Sequence, residues 1–132
     1  MFLIDTDILI YSLKGDPMVM EHLDRTSINP KAISVISYGE LLYGAHKSGH
    51  PTENLARIRR LGEVLPVIDI SPAIMEAFSS LKAQLESDGQ RLDDFDLVIA
   101  ATAITIGYRL VTNNEKHFSR IEGLEIENWA RK

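Results

Sequence analysis

Phe2-Leu3-Ile4-Asp5-Thr6-Asp7 decides how the rest of this 132-residue chain is read. Three consecutive apolar residues ending in a carboxylate describe a short buried strand. Asp5-Thr6-Asp7 then offers N-caps for a helix over Ile8–Leu13. Short polar side chains accept the amide protons that a first helical turn leaves unpaired. Gly15-Asp16-Pro17 stops that helix. A strand that runs straight into a helix is the first half of a βαβ unit.

The same unit recurs along the chain. Met18–Arg25 has a helical pattern, and Ala32–Ile36 reads as a second strand. Ser37 and Glu40 have the spacing of a capping box and open a helix that runs to Ser48-Gly49. Pro51 opens a helix that ends near Leu61, at Gly62. Val64–Ile70 is the predicted third strand. Ser71-Pro72 opens a long helix with Ile74, Met75, Phe78, Leu81 and Leu85 at helical spacing, closed by Asp88-Gly89. Phe95 or Asp96 starts a central helix, apolar nearly all round, that stops at Gly107. Arg109–Thr112 reads as a fourth strand, Asn113-Asn114-Glu115 as a polar turn, and Leu124–Ile126 as a short closing strand. The alternation predicts one α/β domain over residues 1–132. Apolar strands need covering on both faces, so three α/β/α layers are expected around a mainly parallel sheet of four to five strands.

Hydrophobic residues make up 45% and charged residues 25%, an ordinary globular balance that excludes a disordered chain. The absence of cysteine excludes disulfide scaffolds, thiolate zinc sites, iron–sulfur clusters and cysteine nucleophiles. The N-terminus meets an acid at Asp5 and lacks the pattern of a signal peptide. The longest apolar run, Leu97–Ile106, is interrupted by Thr102 and Thr105 and is far shorter than the roughly 20 residues of a membrane span. A cytoplasmic protein with no membrane partner is expected. The net charge of −5 argues against direct phosphate binding, unless carboxylates hold cations that themselves meet the phosphates.

Ligands of parallel α/β sheets bind outside the carboxyl ends of the strands. Asp5 ends the first strand, Glu40 follows the second by four residues, Asp96 opens the helix before the fourth, and Asn114 and Glu115 follow the fourth. Parallel pairing would gather them at one edge, where carboxylates raise one another's pKa and a divalent cation relieves the repulsion. Hard oxygen ligands select Mg2+ or Mn2+ over zinc. Each acid also has a plainer reading: Asp5 and Asp7 as caps, Glu40 as half of a capping box, Asp93-Asp94-Phe95-Asp96 as a solvated turn. His22, His46, His50 and His117 lack metal-ligand spacing and read as surface or partly packed. Lys47, Arg57, Arg91 and Arg109 are candidate contacts for nucleic-acid phosphate, the last two having no obvious partner.

Four blocks in this order and spacing carry a resemblance: Phe-Leu-Ile-Asp-Thr-Asp-Ile-Leu-Ile-Tyr (2–11), Ile-Ser-Val-Ile-Ser-Tyr-Gly-Glu-Leu-Leu-Tyr-Gly-Ala (33–45), Phe-Asp-Leu-Val-Ile-Ala-Ala-Thr-Ala (95–103) and Leu-Val-Thr-Asn-Asn-Glu-Lys-His-Phe (110–118). The chain resembles the PIN-domain family, in particular the VapC-type toxins of bacterial and archaeal toxin–antitoxin pairs. The likeness runs essentially from end to end, through Gly-Leu-Glu-Ile-Glu-Asn-Trp (123–129). It implies a Mg2+-dependent endoribonuclease, with Mn2+ as the alternative ion. Such enzymes often cut structured RNA such as tRNA and leave 5′-phosphate and 3′-hydroxyl ends. By motif, Asp5 resembles the family's first metal-binding aspartate, Glu40 its glutamate and Asp96 its third acid, with Glu40 reaching the ion through water. Asn114 stands where a fourth acid is frequent. Thr6, Ser37 and Thr112 are the hydroxyls expected to orient these carboxylates. The resemblance also implies a homodimer, a small antitoxin that inhibits it, and contact with operator DNA only through the antitoxin complex.

Two other readings stay open on the residues alone. Asp5-Thr6-Asp7 fits the first motif of an aspartyl-phosphate phosphohydrolase of haloacid dehalogenase type, but Leu9 stands where Thr or Val is wanted. A phosphoacceptor receiver module would use Asp69, Thr112 and Lys116, and would leave Glu40 and Asp96 without a role.

Overall fold

The strand Phe2–Ile4 (β1) sends Phe2 and Ile4 into one hydrophobic core and Leu3 into another. This is the period-2 alternation of a strand covered on both faces. The computed structural model describes residues 1–131. Around β1 stand Lys31–Ser34 (β2), Val67–Ile68 (β3), Arg109–Val111 (β4) and Ile126–Glu127 (β5), in the order β3-β2-β1-β4-β5. All four pairings are parallel, as the alternation of elements predicts.

The helices are Thr6–Leu13 (α1), Pro17–Arg25 (α2), Val35–His46 (α3), Pro51–Val64 (α4), Pro72–Ser87 (α5), Asp94–Ile106 (α6) and Glu115–Phe118 (α7). Ile8 and Leu9 of α1, Val19 of α2, Leu41 and Ala45 of α3 and Ile58 of α4 cover the face bearing Phe2 and Ile4. Leu85 of α5, Leu97, Ile99, Ala100 and Ala103 of α6 and Phe118 of α7 cover the face bearing Leu3. The three-layer expectation holds, and α6 is buried almost throughout.

Several boundaries differ from the sequence reading, each for a local reason. β2 ends at Ser34 rather than Ile36, because the Ser34 hydroxyl, not Ser37, caps α3: Ser34 Oγ accepts the Ser37 N–H at 3.0 Å. Glu40 therefore lies in the second turn of α3 and completes no capping box. α4 does not stop at Gly62 but runs on to Val64. That glycine is required by a close approach, since a Cβ there would sit 2.8 Å from Tyr38 Cε1. The helix ends before Pro66, whose ring holds Leu65 extended. β3 is two residues long rather than seven. α6 begins at Asp94, and its end at Gly107 uses a left-handed φ of 72°. The polar turn after β4 leads into the one-turn helix α7, which the sequence reading did not predict.

The C-terminal segment is fastened by Trp129, which is fully buried. Its ring meets Phe2 edge-on at 5.2 Å, stacks on His22 at 5.6 Å, and its Nε1 donates to Glu127 at 3.0 Å. Truncation of a buried tryptophan typically costs about 3–5 kcal/mol. Trp129→Ala is expected to lose stability of that size in urea unfolding, whereas Met20→Ala on the exposed surface of α2 should change it little.

Candidate active site

The site is assembled at the carboxyl edge of β1 and β4. Ile4 pairs with Val111, and the Asp5 N–H donates to the Val111 carbonyl at 2.9 Å. That register sets Asp5 beside Thr112. Asp5 is 6% exposed and caps α1, accepting the Thr6 N–H on Oδ1 at 2.8 Å and the Thr112 hydroxyl on Oδ2 at 2.8 Å. Thr112 Oγ1 in turn accepts the Asn114 N–H at 3.0 Å.

Thr6 ties the second acid to the first. Its Oγ1 lies 2.6 Å from Glu40 Oε1 and 2.9 Å from Ser37 Oγ. A hydroxyl has one proton to give, so it goes to the carboxylate and the Ser37 hydroxyl donates in return. The sequence reading of Thr6, Ser37 and Thr112 as hydroxyls beside the carboxylates matches these contacts. Asp7, read as a second cap, accepts N–H donors from Ile8 at 2.7 Å and Asn113 at 3.0 Å.

The acids feel one another. Burial raises the Asp5 pKa to about 7, and Asp7 and Asp96 add to the rise against the opposing bonds from Thr112 and Thr6. Burial also raises Asp7. Asp96, half-buried in the first turn of α6, is raised by burial, then by Asp93 and Glu40, while His117 opposes. Asp5, Glu40 and Asp96 are thus brought together. Asn114 faces His117, with its Nδ2 2.9 Å from the ring Nδ1. That same Nδ1 is 3.9 Å from Asp96 Oδ2. Glu115 is drawn away from the cluster toward Asn128, at 3.0 Å, and Arg131, at 2.8 Å.

Asp5 and Asp96 are the carboxylates that could hold a divalent cation, with Glu40 beside them. Among the described residues no three His, Asp or Glu side chains already enclose a metal position. The donor chemistry fits a hard ion all the same: these are oxygen ligands that repel one another until positive charge arrives.

The basic candidates are scattered. Arg57 lies on a groove between α1, α3 and α4 that Glu40 also lines, and donates to the Leu13 carbonyl at 2.8 Å. Lys47, the C-cap of α3, stands 6.0 Å from the Tyr43 ring. Arg91 lines a hollow between α5 and the start of α6. Arg109, expected to be unpaired, bonds Glu125 at 2.9 Å and Glu127 at 3.0 Å from the amino end of β4, the far end of that strand from Thr112. Asp69 lies exposed after the edge strand β3, two strands from Asp5. The sequence reading took His117 as surface or partly packed and gave Asn128 no role, whereas His117 lies beside Asn114 and Asp96, and Asn128 against Asn113 and Glu115. The signal for His117 was the three-residue spacing from Asn114, which one helical turn converts into contact.

The raised Asp5 pKa has a definite sign in stability. The folded state holds a proton on Asp5 up to about pH 7, while an unfolded aspartate releases it near 3.8. This stabilising contribution is complete below pH 3.8 and is lost as pH rises to 7. The loss is a few kcal/mol in order of magnitude. In EDTA, Asp5→Asn should therefore become progressively more stable than the wild type between pH 5 and pH 8. A stability difference that stays constant over that range would contradict the assignment.

The fold and geometry match known proteins over nearly the whole chain. The PIN domain family model covers residues 2–124. A Haemophilus influenzae protein named ribonuclease VapC2 is 34% identical over 129 residues, 98% of each chain. A Shigella flexneri protein named tRNA(fMet)-specific endonuclease VapC is 33% identical with the same coverage. In the crystal structure of VapBC2 from Rickettsia felis bound to a DNA fragment from their promoter, a chain 34% identical superposes with a TM-score of 0.90, covering 97% of this chain and 98% of that one. Matched by the family model over residues 2–124 and by relatives along nearly its whole length, the chain belongs to the PIN domain family, among the VapC ribonucleases.

Proposed function

We propose that this VapC-type ribonuclease is the toxin of a toxin–antitoxin pair and hydrolyses phosphodiester bonds in structured RNA, tRNA above all, with Mg2+ as its cation and Mn2+ as the alternative. One observation supports the cation: Asp5, almost sealed from water and fixed on both oxygens, lies near Asp7 and Asp96, and burial with their charge lifts its pKa to about 7. Positive charge at that edge would reverse the lift. Asp5 and Asp96 would hold the ion, and Glu40 would reach it through water. A divalent cation bound there supplies an acidified water and draws charge from the phosphoryl oxygens.

The chain's own residues position the reactants. Thr112 and the Thr6 N–H fix both Asp5 oxygens. The Thr6 hydroxyl engages Glu40 Oε1, which leaves Oε2 to orient a water. The products would carry a 5′-phosphate and a 3′-hydroxyl. The name of the Shigella flexneri relative makes tRNA(fMet) the first substrate to try.

The partner reading rests on surfaces. Ile10, Leu13 and Leu41 line the groove beside Glu40, with Lys14 and Arg57 among its residues; this supports an antitoxin segment lying there. The exposed Tyr43 and Phe95 share an apolar hollow with Val35 and Ile36, which supports a homodimer. A net charge of −5 favours contact with operator DNA only through the antitoxin complex.

The purified, antitoxin-free chain should cut a tRNA(fMet) transcript in Mg2+ and not in EDTA. Asp5→Ala and Asp96→Asn should abolish cutting with the fold intact by circular dichroism. Thr112→Val should lower it about ten- to a hundredfold. Full activity in either aspartate variant overturns the site. Co-expression with the adjacent small antitoxin should give one peak in size exclusion that contains both chains; separate elution counts against the pairing.

A further inference from the structure

We propose that His117 is a catalytic residue whose Nε2 donates a hydrogen bond to a phosphoryl oxygen of RNA bound at Asp96; this rests on the ribonuclease reading above. His117 lies in α7, between Asn114 and the buried anchor Phe118. Its own N–H and that of Phe118 both donate to the Asn114 carbonyl at 3.2 Å. The turn is therefore short and anchored, and the ring direction is set by Asn114. The Asn114 Nδ2 lies 2.9 Å from the ring Nδ1. With Nδ1 held at Asn114, Nε2 is the ring nitrogen left to meet a ligand.

The ring is well sited. Nδ1 of the same ring is 3.9 Å from Asp96 Oδ2, and the side chain is 45% exposed. His117 thus sets a half-exposed imidazole beside a cluster otherwise made of carboxylates. Arg109 does not stand there, since it pairs with Glu125 and Glu127 at the amino end of β4. A fixed donor next to the acids would meet phosphoryl charge as it grows in the transition state. It would do so without the carboxylate's cost of repelling RNA.

Imidazole substitution can tell the two ring nitrogens apart. A glutamine amide reproduces the reach of Nε2, and an asparagine amide that of Nδ1. Cleavage of the tRNA(fMet) transcript in Mg2+ is measured for wild type, His117→Ala, His117→Gln and His117→Asn, with Mn2+ affinity followed by electron paramagnetic resonance. His117→Ala and His117→Asn should lose about ten- to a hundredfold in kcat/KM, the effect of one hydrogen bond to a charged group. The loss should fall mainly on kcat. His117→Gln should keep most of the activity, and Mn2+ affinity should be unchanged in all four. Wild-type activity in His117→Ala overturns the proposal. So does rescue by asparagine in place of glutamine, which would reduce the residue to its contact with Asn114. A fall in Mn2+ affinity in His117→Ala also overturns it, because the imidazole would then be a metal ligand. Should His117→Ala not fold, the glutamine and asparagine variants still decide. A wild-type chain that neither binds nor cuts the transcript in either metal removes the ribonuclease reading and this one together.

Discussion

Asp5 is held between the Thr112 hydroxyl and the first amide of α1, 2.8 Å from each, and is almost sealed from water. Both contacts depend on one strand register. With Ile4 opposite Val111, the residue after each strand meets the residue after the other. A slip of one residue would turn every side chain of β1 to the wrong face, moving Leu3 between the two cores and parting Asp5 from Thr112. The core and the site therefore impose the same constraint. The apolar alternation selects the register, and the register delivers a carboxylate to an edge where it is costly to ionise.

The remaining contacts follow from how the second strand ends. Ser34 uses its hydroxyl to cap α3, which leaves the Ser37 hydroxyl free of backbone duty. Ser37 then meets Thr6, and Thr6 meets Glu40. Because Glu40 lies in the second turn of α3, beyond the unpaired amides, its carboxylate is not spent on capping. The cluster forms because capping is delegated to Ser34 on α3 and shared by Asp5 on α1. Loop 112–115 completes it from the other side. The Asn113 N–H bonds Asp7, its side chain bonds Asn128, and Asn128 bonds Glu115. Through Trp129, buried against Phe2, this loop is braced by the C-terminal segment.

What could be read in advance was what depends on residue type and period. The parallel sheet and the two-sided burial of the strands follow from short apolar runs that alternate with helices; of the three acids only Asp5 ends such a run, while Glu40 and Asp96 lie on helices. Boundaries were harder wherever a residue has two uses. Ser37 and Ser34 are both competent caps, and spacing to Glu40 favoured the wrong one. Gly62 looked like a helix stop because glycine ends helices, yet here it makes room for the Tyr38 ring, a tertiary fact with no local signal. Arg109 looked free because its partners Glu125 and Glu127 are distant in sequence and come close only when β5 adds to β4. His117 was passed over because it lacks ligand spacing to other histidines. Its neighbour in the fold is an asparagine and its target an aspartate on another helix.

The electrostatics shape how such a chain would meet RNA. A net charge of −5 gives no long-range attraction for a polyanion, and the cations that exist are partly used by neighbours. Association cannot then rest on a broad basic face, as it does for many nucleic-acid binders. A cation held at Asp5 and Asp96 would supply charge locally, Lys14 and Arg57 on the groove would add to it, and fit to a folded RNA shape would supply the rest. A surface that repels RNA at a distance and grips it only where geometry is right rejects unstructured RNA by default. On this argument, acidity would favour selectivity for one structured target rather than oppose it.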